Sequence, residues 1–136
     1  MEALYRDQIL DHYRHPRNYG PVDDLPVTAE ADNPLCGDRI RMGLRLVDGR
    51  IEEVRFHGRG CAVCMAAASL LTEHLPGLDA DTVTALEQAA RDALVADAGT
   101  PLPSPLEGLS ALRDHPARHR CLLLPLEALL AALPPE

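Results

Sequence analysis

Two short runs of alternating apolar and polar residues flank an Asp48-Gly49 dipeptide, and this pattern constrains the fold more than any other feature of the sequence. The first run alternates arginines with the apolar residues Ile40, Met42, Leu44 and Leu46. The second run covers residues 51–57 and places Val54 and Phe56 on one face. Asp-Gly between two such runs is a strong signal for a β-hairpin. The sequence therefore predicts two antiparallel strands with one apolar face and one solvent face.

The hydrophobic period changes from that of a strand to that of a helix after this hairpin. Gly58-Arg59-Gly60 is expected to break the second strand, and residues 61–75 are rich in Ala and Leu, with Pro76-Gly77 as the helix stop. Further helices are predicted at 2–15, after a cap at Asp79 or Asp81, at 107–114 and at 122–133. In the last of these, Pro125 is expected to be tolerated only in the first turn.

The order of these elements predicts the fold class. A weak strand from Val27 to Ala31 precedes the hairpin, so three short strands come before most of the helices. Such an order favours an α+β fold in which helices pack on one face of a small antiparallel sheet. With 136 residues and no internal repeat or linker, the chain is expected to form a single domain over residues 1–136.

Charge and hydropathy argue against several classes of partner. The formal net charge of −8 disfavours nucleic acid and anionic membranes. No apolar run approaches the roughly 18 residues of a membrane span. The first 18 residues are charged throughout and lack the apolar core of a signal peptide. We therefore expect a cytoplasmic protein with neither a membrane nor a nucleic-acid partner.

Four cysteines carry the only specific chemical signal in the sequence. In a reducing compartment, thiols act more often as ligands or nucleophiles than as disulfides. Cys36 lies in a predicted turn before a strand, Cys61 at the predicted start of a helix, and Cys121 just ahead of the last helix. Helix starts and neighbouring arginines favour the thiolate, the form that binds metal or accepts sulfur. We therefore expect lowered thiol pKa values at these positions.

Cys61 and Cys64 form a C-x-x-C pair, which leaves alternative functions open. A thioredoxin-like redox pair would need a βαβ context, and a zinc ribbon would need a second such pair. We interpret Cys64 as a packing residue beside the site. The alternatives are a structural zinc-binding interaction module and a thiol–disulphide oxidoreductase that uses Cys61 and Cys64.

Charged residues near the cysteines have both ordinary and functional interpretations. Asp38 follows Cys36 by two positions and could share an ion with its thiolate, although an aspartate in a solvated turn is also common. His119 lies two residues before Cys121, a spacing that gives no shared helical face. Five arginines are expected to form the solvent face of the hairpin, which an acidic partner could also use: Arg39, Arg41, Arg45, Arg55 and Arg59.

Three segments occur in a distinctive order, namely Asn33-Pro34-Leu35-Cys36-Gly37-Asp38, Gly60-Cys61 opening a helix, and Arg118-His119-Arg120-Cys121. Together with His15-Pro16-Arg17-Asn18, they resemble the U-type iron–sulphur cluster assembly proteins, the IscU, SufU and NifU N-terminal group. The resemblance covers essentially the whole chain. It implies a SufE/NifU-like α+β fold with a small three-stranded antiparallel sheet and helices on one face.

The resemblance also implies a metal site with assigned roles. The implied ligands of one solvent-accessible ion are Cys36, Asp38, Cys61 and Cys121, with Zn²⁺ as the resident ion and [2Fe–2S] as a transient alternative. Positive charge around this anionic ligand set is expected from Arg39, Arg118 and Arg120. Cys36 is expected to attack the persulphide of a partner, because a cysteine in a turn moves at less cost than one on a helix.

Within the group, the longer SufU-like branch is the better match. Cys121 follows Cys61 by 60 positions, Arg120 stands where the scaffold branch usually has His, and the chaperone-binding Leu-Pro-Pro-Val-Lys motif is missing upstream. Cys64 departs from the small or aliphatic residues usual at its position. The resemblance implies sulfur acceptance from a cysteine desulphurase, as a sulfurtransferase-like acceptor or a non-enzymatic scaffold, and delivery to downstream cluster-assembly or apo-acceptor proteins.

Overall fold

The structure, a computed structural model, describes residues 2–35, 37–97 and 99–134, with side chains from Arg6 onward. Three strands form one antiparallel sheet in the order β1-β2-β3: β1 (Val27–Asn33), β2 (Asp38–Val47) and β3 (Arg50–Arg59). The helices are α1 (Glu2–Arg14), α2 (Ala62–His74), α3 (Ala80–Leu94) and α4 (His119–Ala132), with 3₁₀ segments at Glu107–Asp114 and Pro116–Arg118. The predicted α+β class with a three-stranded antiparallel sheet is confirmed. Within the described ranges, no helix is both long and apolar enough to cross a bilayer.

The hairpin between β2 and β3 sets the register of the sheet. Asp48 and Gly49 have φ values of 53° and 77°, and positive φ at both central residues is what a type I′ turn requires. The resulting register pairs Met42 with Phe56, both of which are fully buried. A slip of one residue would move these side chains to the solvent face, so burial and turn geometry specify the same pairing.

The strand β3 is longer than the sequence predicts, because Gly58 continues the ladder instead of ending it. Gly58 pairs with Ile40 at a φ of 139°. A Cβ at this position would collide with the backbone carbonyl of Arg39, so only glycine allows the two strands to approach so closely. The predicted strand break at this glycine is therefore wrong. As a consequence, β3 runs to Arg59, and only Gly60 and Cys61 lie between it and the start of α2.

The last helix, α4, forms the centre of the hydrophobic layer against β1, β2 and α2. It begins at His119, three residues earlier than predicted, so Pro125 lies inside the helix and not in its first turn. An internal proline costs about 3 kcal/mol. Burial of one leucine side chain contributes about 1.5–3 kcal/mol. Four fully buried leucines therefore outweigh the proline: Leu122, Leu124, Leu126 and Leu129.

The end of α1 is attached to α2 by buried polar side chains. The Nδ1 atom of His12 lies 2.7 Å from the Ser69 hydroxyl, which also accepts a hydrogen bond of 2.9 Å from the backbone N–H of Arg17. The Asn18 amide donates to the Thr72 hydroxyl at 3.2 Å. His12 is only 6% exposed and Ser69 is fully buried, so these bonds are sheltered from competing water.

We expect the protein to lose stability when the pH falls from about 7 to about 5, because His12 is buried in its neutral form. Burial and the positive charge of Arg17 lower the pKa of His12 below its ordinary value of 6.5, and Glu73 and Asp11 oppose this shift. The unfolded chain therefore binds this proton more readily than the folded chain. The stability is complete above pH 6.5 and is lost as the pH falls below it.

Urea denaturation at a series of pH values checks this prediction. His12→Gln keeps a polar side chain without the titration, so it should flatten the dependence of the free energy of unfolding on pH across this interval. A variant with the same pH dependence as the parent protein would contradict the assignment to His12.

Candidate metal centre

Three elements that are distant in the sequence bring ligand-type side chains to one place. Asp38 is the first residue of β2, Cys61 precedes α2 as its N-cap, and Cys121 lies in the first turn of α4. One carboxylate oxygen and the two sulfurs all lie within 4.8 Å of one another. Asp38 and Cys121 are buried and Cys61 is partly exposed. We refer to these three residues as the ligand cluster.

Cys36, the fourth predicted ligand and the predicted nucleophile, lies outside the described residues. The described residues on either side of it, Pro34, Leu35 and Gly37, have turn conformation. The N–H of Gly37 donates to the Asn33 carbonyl at 2.8 Å, and the N–H of Leu35 donates to the Asn33 side chain at 3.2 Å. The register pairs Asn33 with Asp38, so this turn leads directly into the ligand cluster. The role of Cys36 stays a prediction.

The environment of the Asp38 carboxylate indicates whether the ligand cluster fits a metal ion. Among the described residues, its Oδ2 atom is buried and has no hydrogen-bond partner. A buried carboxylate oxygen without a partner carries a large desolvation penalty, and coordination to a cation removes it. Thiolate sulfur and carboxylate oxygen are also the donors that tetrahedral Zn²⁺ accepts in proteins. The residues present therefore fit a zinc ion.

Gly60 leaves no space between the ligand cluster and the hydrophobic core. A Cβ at this position would lie 3.0 Å from the Cβ and Sγ atoms of Cys64 and 3.3 Å from the Cγ atom of Asp38. Cys64 is fully buried within the hydrophobic core and is not one of the three residues whose ligand atoms meet. A side chain at residue 60 would therefore require Cys64 or Asp38 to shift by a few tenths of an ångström.

The electrostatics of Cys121 differ from the sequence-based expectation. Burial is the main cause that raises its pKa, to about 12, and the neighbouring Cys61 and Asp38 raise it further. Arg118 acts in the opposite direction through a hydrogen bond to the Cys121 sulfur, without reversing the shift. The expected lowering of the thiol pKa is therefore wrong for Cys121. A helix start and a nearby arginine do not outweigh desolvation and the effects of Cys61 and Asp38 on the pKa of Cys121.

The three arginines that were expected to surround the site have different surroundings. Arg118 interacts with the sulfurs of Cys121 and Cys61, and these contacts raise the pKa of its guanidinium. Arg120 donates to the backbone carbonyl of Asp32 at 3.3 Å. Arg39 lies on the outer face of the sheet with a side chain that is 64% exposed. Arg118 is thus the arginine of these three that the structure places on the thiols.

His119 contacts backbone carbonyl oxygens and not the ligand cluster. Its Nε2 atom lies 3.1 Å from the backbone carbonyl oxygens of both Leu112 and Arg113. It therefore fastens the 3₁₀ segment to the start of α4, and it is not part of the ligand cluster.

A cleft of about 710 Å³ opens beside the ligand cluster. It is lined by residues 37–39 at the start of β2 and by residues 57–60 at the end of β3. Asp38 belongs to both the cleft and the cluster. This cleft was not identified from the sequence, because its two walls come from strand ends that only the extended pairing at Gly58 brings together.

Known proteins resemble this chain over most of its length. The family model of the NifU-like N terminal domain matches residues 4–115. The zinc-dependent sulfurtransferase SufU of Bacillus subtilis is 35% identical over 132 residues, which cover 95% of this chain and 88% of the relative. The iron-sulfur cluster assembly scaffold protein IscU of Thermotoga maritima is 30% identical over 134 residues, which cover 98% and 94%. The crystal structure of a NifU-like protein (N-terminal) from Brucella abortus has the same fold, with a TM-score of 0.84 over 96% of this chain and 92% of that chain at 23% identity.

Proposed function

Since this chain belongs to the NifU-like N-terminal domain family, we propose that it is an iron–sulphur cluster assembly protein that accepts sulfur from a cysteine desulphurase and holds zinc through Cys36, Asp38, Cys61 and Cys121. The observation that carries the proposal is the meeting of one carboxylate and two sulfurs within 4.8 Å, where the buried Oδ2 atom of Asp38 has no hydrogen-bond partner among the described residues. The similarity to a relative named as a zinc-dependent sulfurtransferase supports the choice of zinc.

The metal ion and the residues around the ligand cluster would have separate roles. A bound zinc ion would supply the positive charge that keeps the ligand thiols deprotonated at neutral pH and restrains their oxidation. Four anionic ligands exceed the charge of a divalent ion, and the guanidinium of Arg118 offsets part of the excess at Cys61 and Cys121. The absence of a side chain at Gly60 allows the backbone to lie close to Asp38.

We assign the sulfur-accepting step to Cys36. Its thiolate attacks the outer sulfur of the persulphide on the donor protein. A new S–S bond forms between Cys36 and that sulfur, the S–S bond of the donor breaks, and the cysteine of the donor leaves as a thiolate. The outer sulfur keeps its proton as it moves to Cys36, so no oxidant or reductant is needed. Cys121 is only 2% exposed and lies on a helix, which makes it less able to reach a partner.

A sulfur-transfer assay with metal analysis tests this function. The purified protein is expected to contain zinc, to lack visible charge-transfer absorption, and to gain a sulfur atom on the Cys36 peptide when mixed with a cysteine desulphurase and free cysteine. Mass spectrometry of the alkylated peptides locates that atom. A protein that receives no sulfur from an active desulphurase would overturn the proposal.

A cluster scaffold is the second candidate function. The thiolates of Cys61 and Cys121 would suit iron as well as zinc. The scaffold relative from Thermotoga maritima matches 98% of this chain. Under this function the purified protein would contain iron and absorb visible light, so the same metal analysis and spectrum separate the two candidates.

A further inference from the structure

The outer face of the sheet carries a row of arginines, most of which are neutralised at the end far from the ligand cluster. Arg55 makes two hydrogen bonds to the carboxylate of Asp24, at 2.9 and 2.6 Å. Arg41 reaches Asp23 at 3.0 Å, and Arg45 lies 3.7 Å from Glu53. These pairs leave little net positive charge at that end.

The end beside the ligand cluster is different. Arg39 and Arg59 are directly opposite each other in the pairing of β2 with β3, and like charges in this position destabilise a sheet. Arg39 forms a long ion pair with Glu30, at 3.9 Å. In the part of the chain that the structure describes, Arg59 has no carboxylate within 4.0 Å, the limit for an ion pair. Arg59 is therefore a cation beside the ligand cluster with no ion-pair partner among the described residues, on a chain whose net charge is −8.

These arginines line the cleft described above, together with His57. One wall of the cleft is held in place by Tyr19, whose ring centroid lies 5.2 Å from that of His57. The Tyr19 hydroxyl donates to the Gly58 carbonyl at 2.9 Å. A cleft that presents Arg39, His57 and Arg59 from a fixed wall is suited to receive carboxylates without rearrangement.

We propose that this cleft binds an acidic segment of the sulfur-donor protein, and that Arg39, His57 and Arg59 align the segment with the thiols; this rests on the proposed function. The cleft reaches the site directly, because Gly37 and Asp38 line it and Cys36 precedes them in the chain. Exposed single ion pairs contribute little free energy, too little to hold a small anion. Several such contacts at the edge of a protein interface accelerate association and orient the partner.

A charge reversal at Arg59 tests the proposal against a matched control. Arg59→Glu is expected to raise the Kd for a cysteine desulphurase about tenfold at low ionic strength, with an unchanged zinc content. Arg45→Glu makes the same charge change on the same sheet face at the other end, and should alter the Kd less than about twofold. Added salt should reduce the difference between Arg59→Glu and the parent protein. Equal Kd values for the parent protein and Arg59→Glu would overturn the proposal.

A second measurement tests whether the cleft binds an acidic peptide, independently of the proposed function. Hexaglutamate is titrated into labelled protein and followed by the NMR shifts of the Arg39 and His57–Gly60 amides. Saturable shifts in the parent protein and in Arg45→Glu, but not in Arg59→Glu, would support an acidic-peptide cleft even if no sulfur transfer occurs. Absence of shifts in the parent protein, or equal shifts with sodium glutamate at the same carboxylate concentration, would overturn it.

Discussion

Replacement of Cys61 or Cys121 by serine is expected to abolish zinc binding and sulfur acceptance together. The two sulfurs are among three ligand atoms that lie within 4.8 Å of one another. Serine has nearly the same size, but its hydroxyl does not ionise near neutral pH and is a poor ligand for zinc. We expect the zinc affinity to fall by roughly two orders of magnitude or more, since even outer residues of zinc sites change affinity by about 10–100-fold. Equilibrium zinc competition and the sulfur-transfer assay measure the two effects.

Cys64→Ala is the control for these two substitutions. Cys64 is also a cysteine of the C-x-x-C pair, but it lies in the hydrophobic core outside the ligand cluster. We expect the variant to keep its zinc and to accept sulfur, with at most a modest loss of stability from the smaller side chain. Cys36→Ser should stop sulfur acceptance as well. Loss of activity in Cys64→Ala would instead favour a thiol–disulphide oxidoreductase that uses Cys61 and Cys64.

Removal of zinc by a chelator is expected to lower the Tm by roughly 10 °C or more. A ligand at 1,000 times its Kd stabilises the folded state by about 4 kcal/mol, and each kcal/mol corresponds to about 2–8 °C for domains near this size. Without a cation, the buried Oδ2 atom of Asp38 has no partner among the described residues, and the high pKa of Cys121 keeps its thiol protonated. Differential scanning calorimetry before and after chelation, and after zinc is restored, measures the change.

Cys121→Ser provides the comparison for this experiment. Because the variant has lost a ligand, its Tm should be low from the start and should not respond to the chelator. A parent protein whose Tm is the same with and without chelator would show that the cluster does not stabilise the fold through a metal.

The sequence predicts the elements of this fold better than their ends. Alternation around Asp48-Gly49 is a local pattern, and local backbone preference alone determines that turn. The end of β3 depends on how closely Gly58 can approach the carbonyl of Arg39, which is a contact between strands. The start of α4 depends on leucine burial against the sheet, which offsets the internal Pro125. Both errors arise where tertiary packing overrides a local signal.

For the candidate site too, local patterns in the sequence predict some features, and tertiary contacts determine the others. Residue types and their positions at element boundaries single out Asp38, Cys61 and Cys121, but their proximity followed only from the resemblance, because Cys61 and Cys121 are 60 positions apart. The pKa of Cys121 depends on burial, which no local pattern reveals. The charge of the cleft also could not be predicted, because the loop that carries Asp23 and Asp24 neutralises some arginines of the hairpin and not others.

The helix α2 has Cys61 at its start and Ser69 further along, so the same folded segment serves the ligand cluster at one end and the attachment of α1 at the other. Thermodynamic linkage makes such an arrangement reciprocal. Zinc should make the amino-terminal helix more resistant to proteases. Acidic conditions that detach this helix should weaken the apparent affinity for zinc by the same factor by which zinc favours the attached helix.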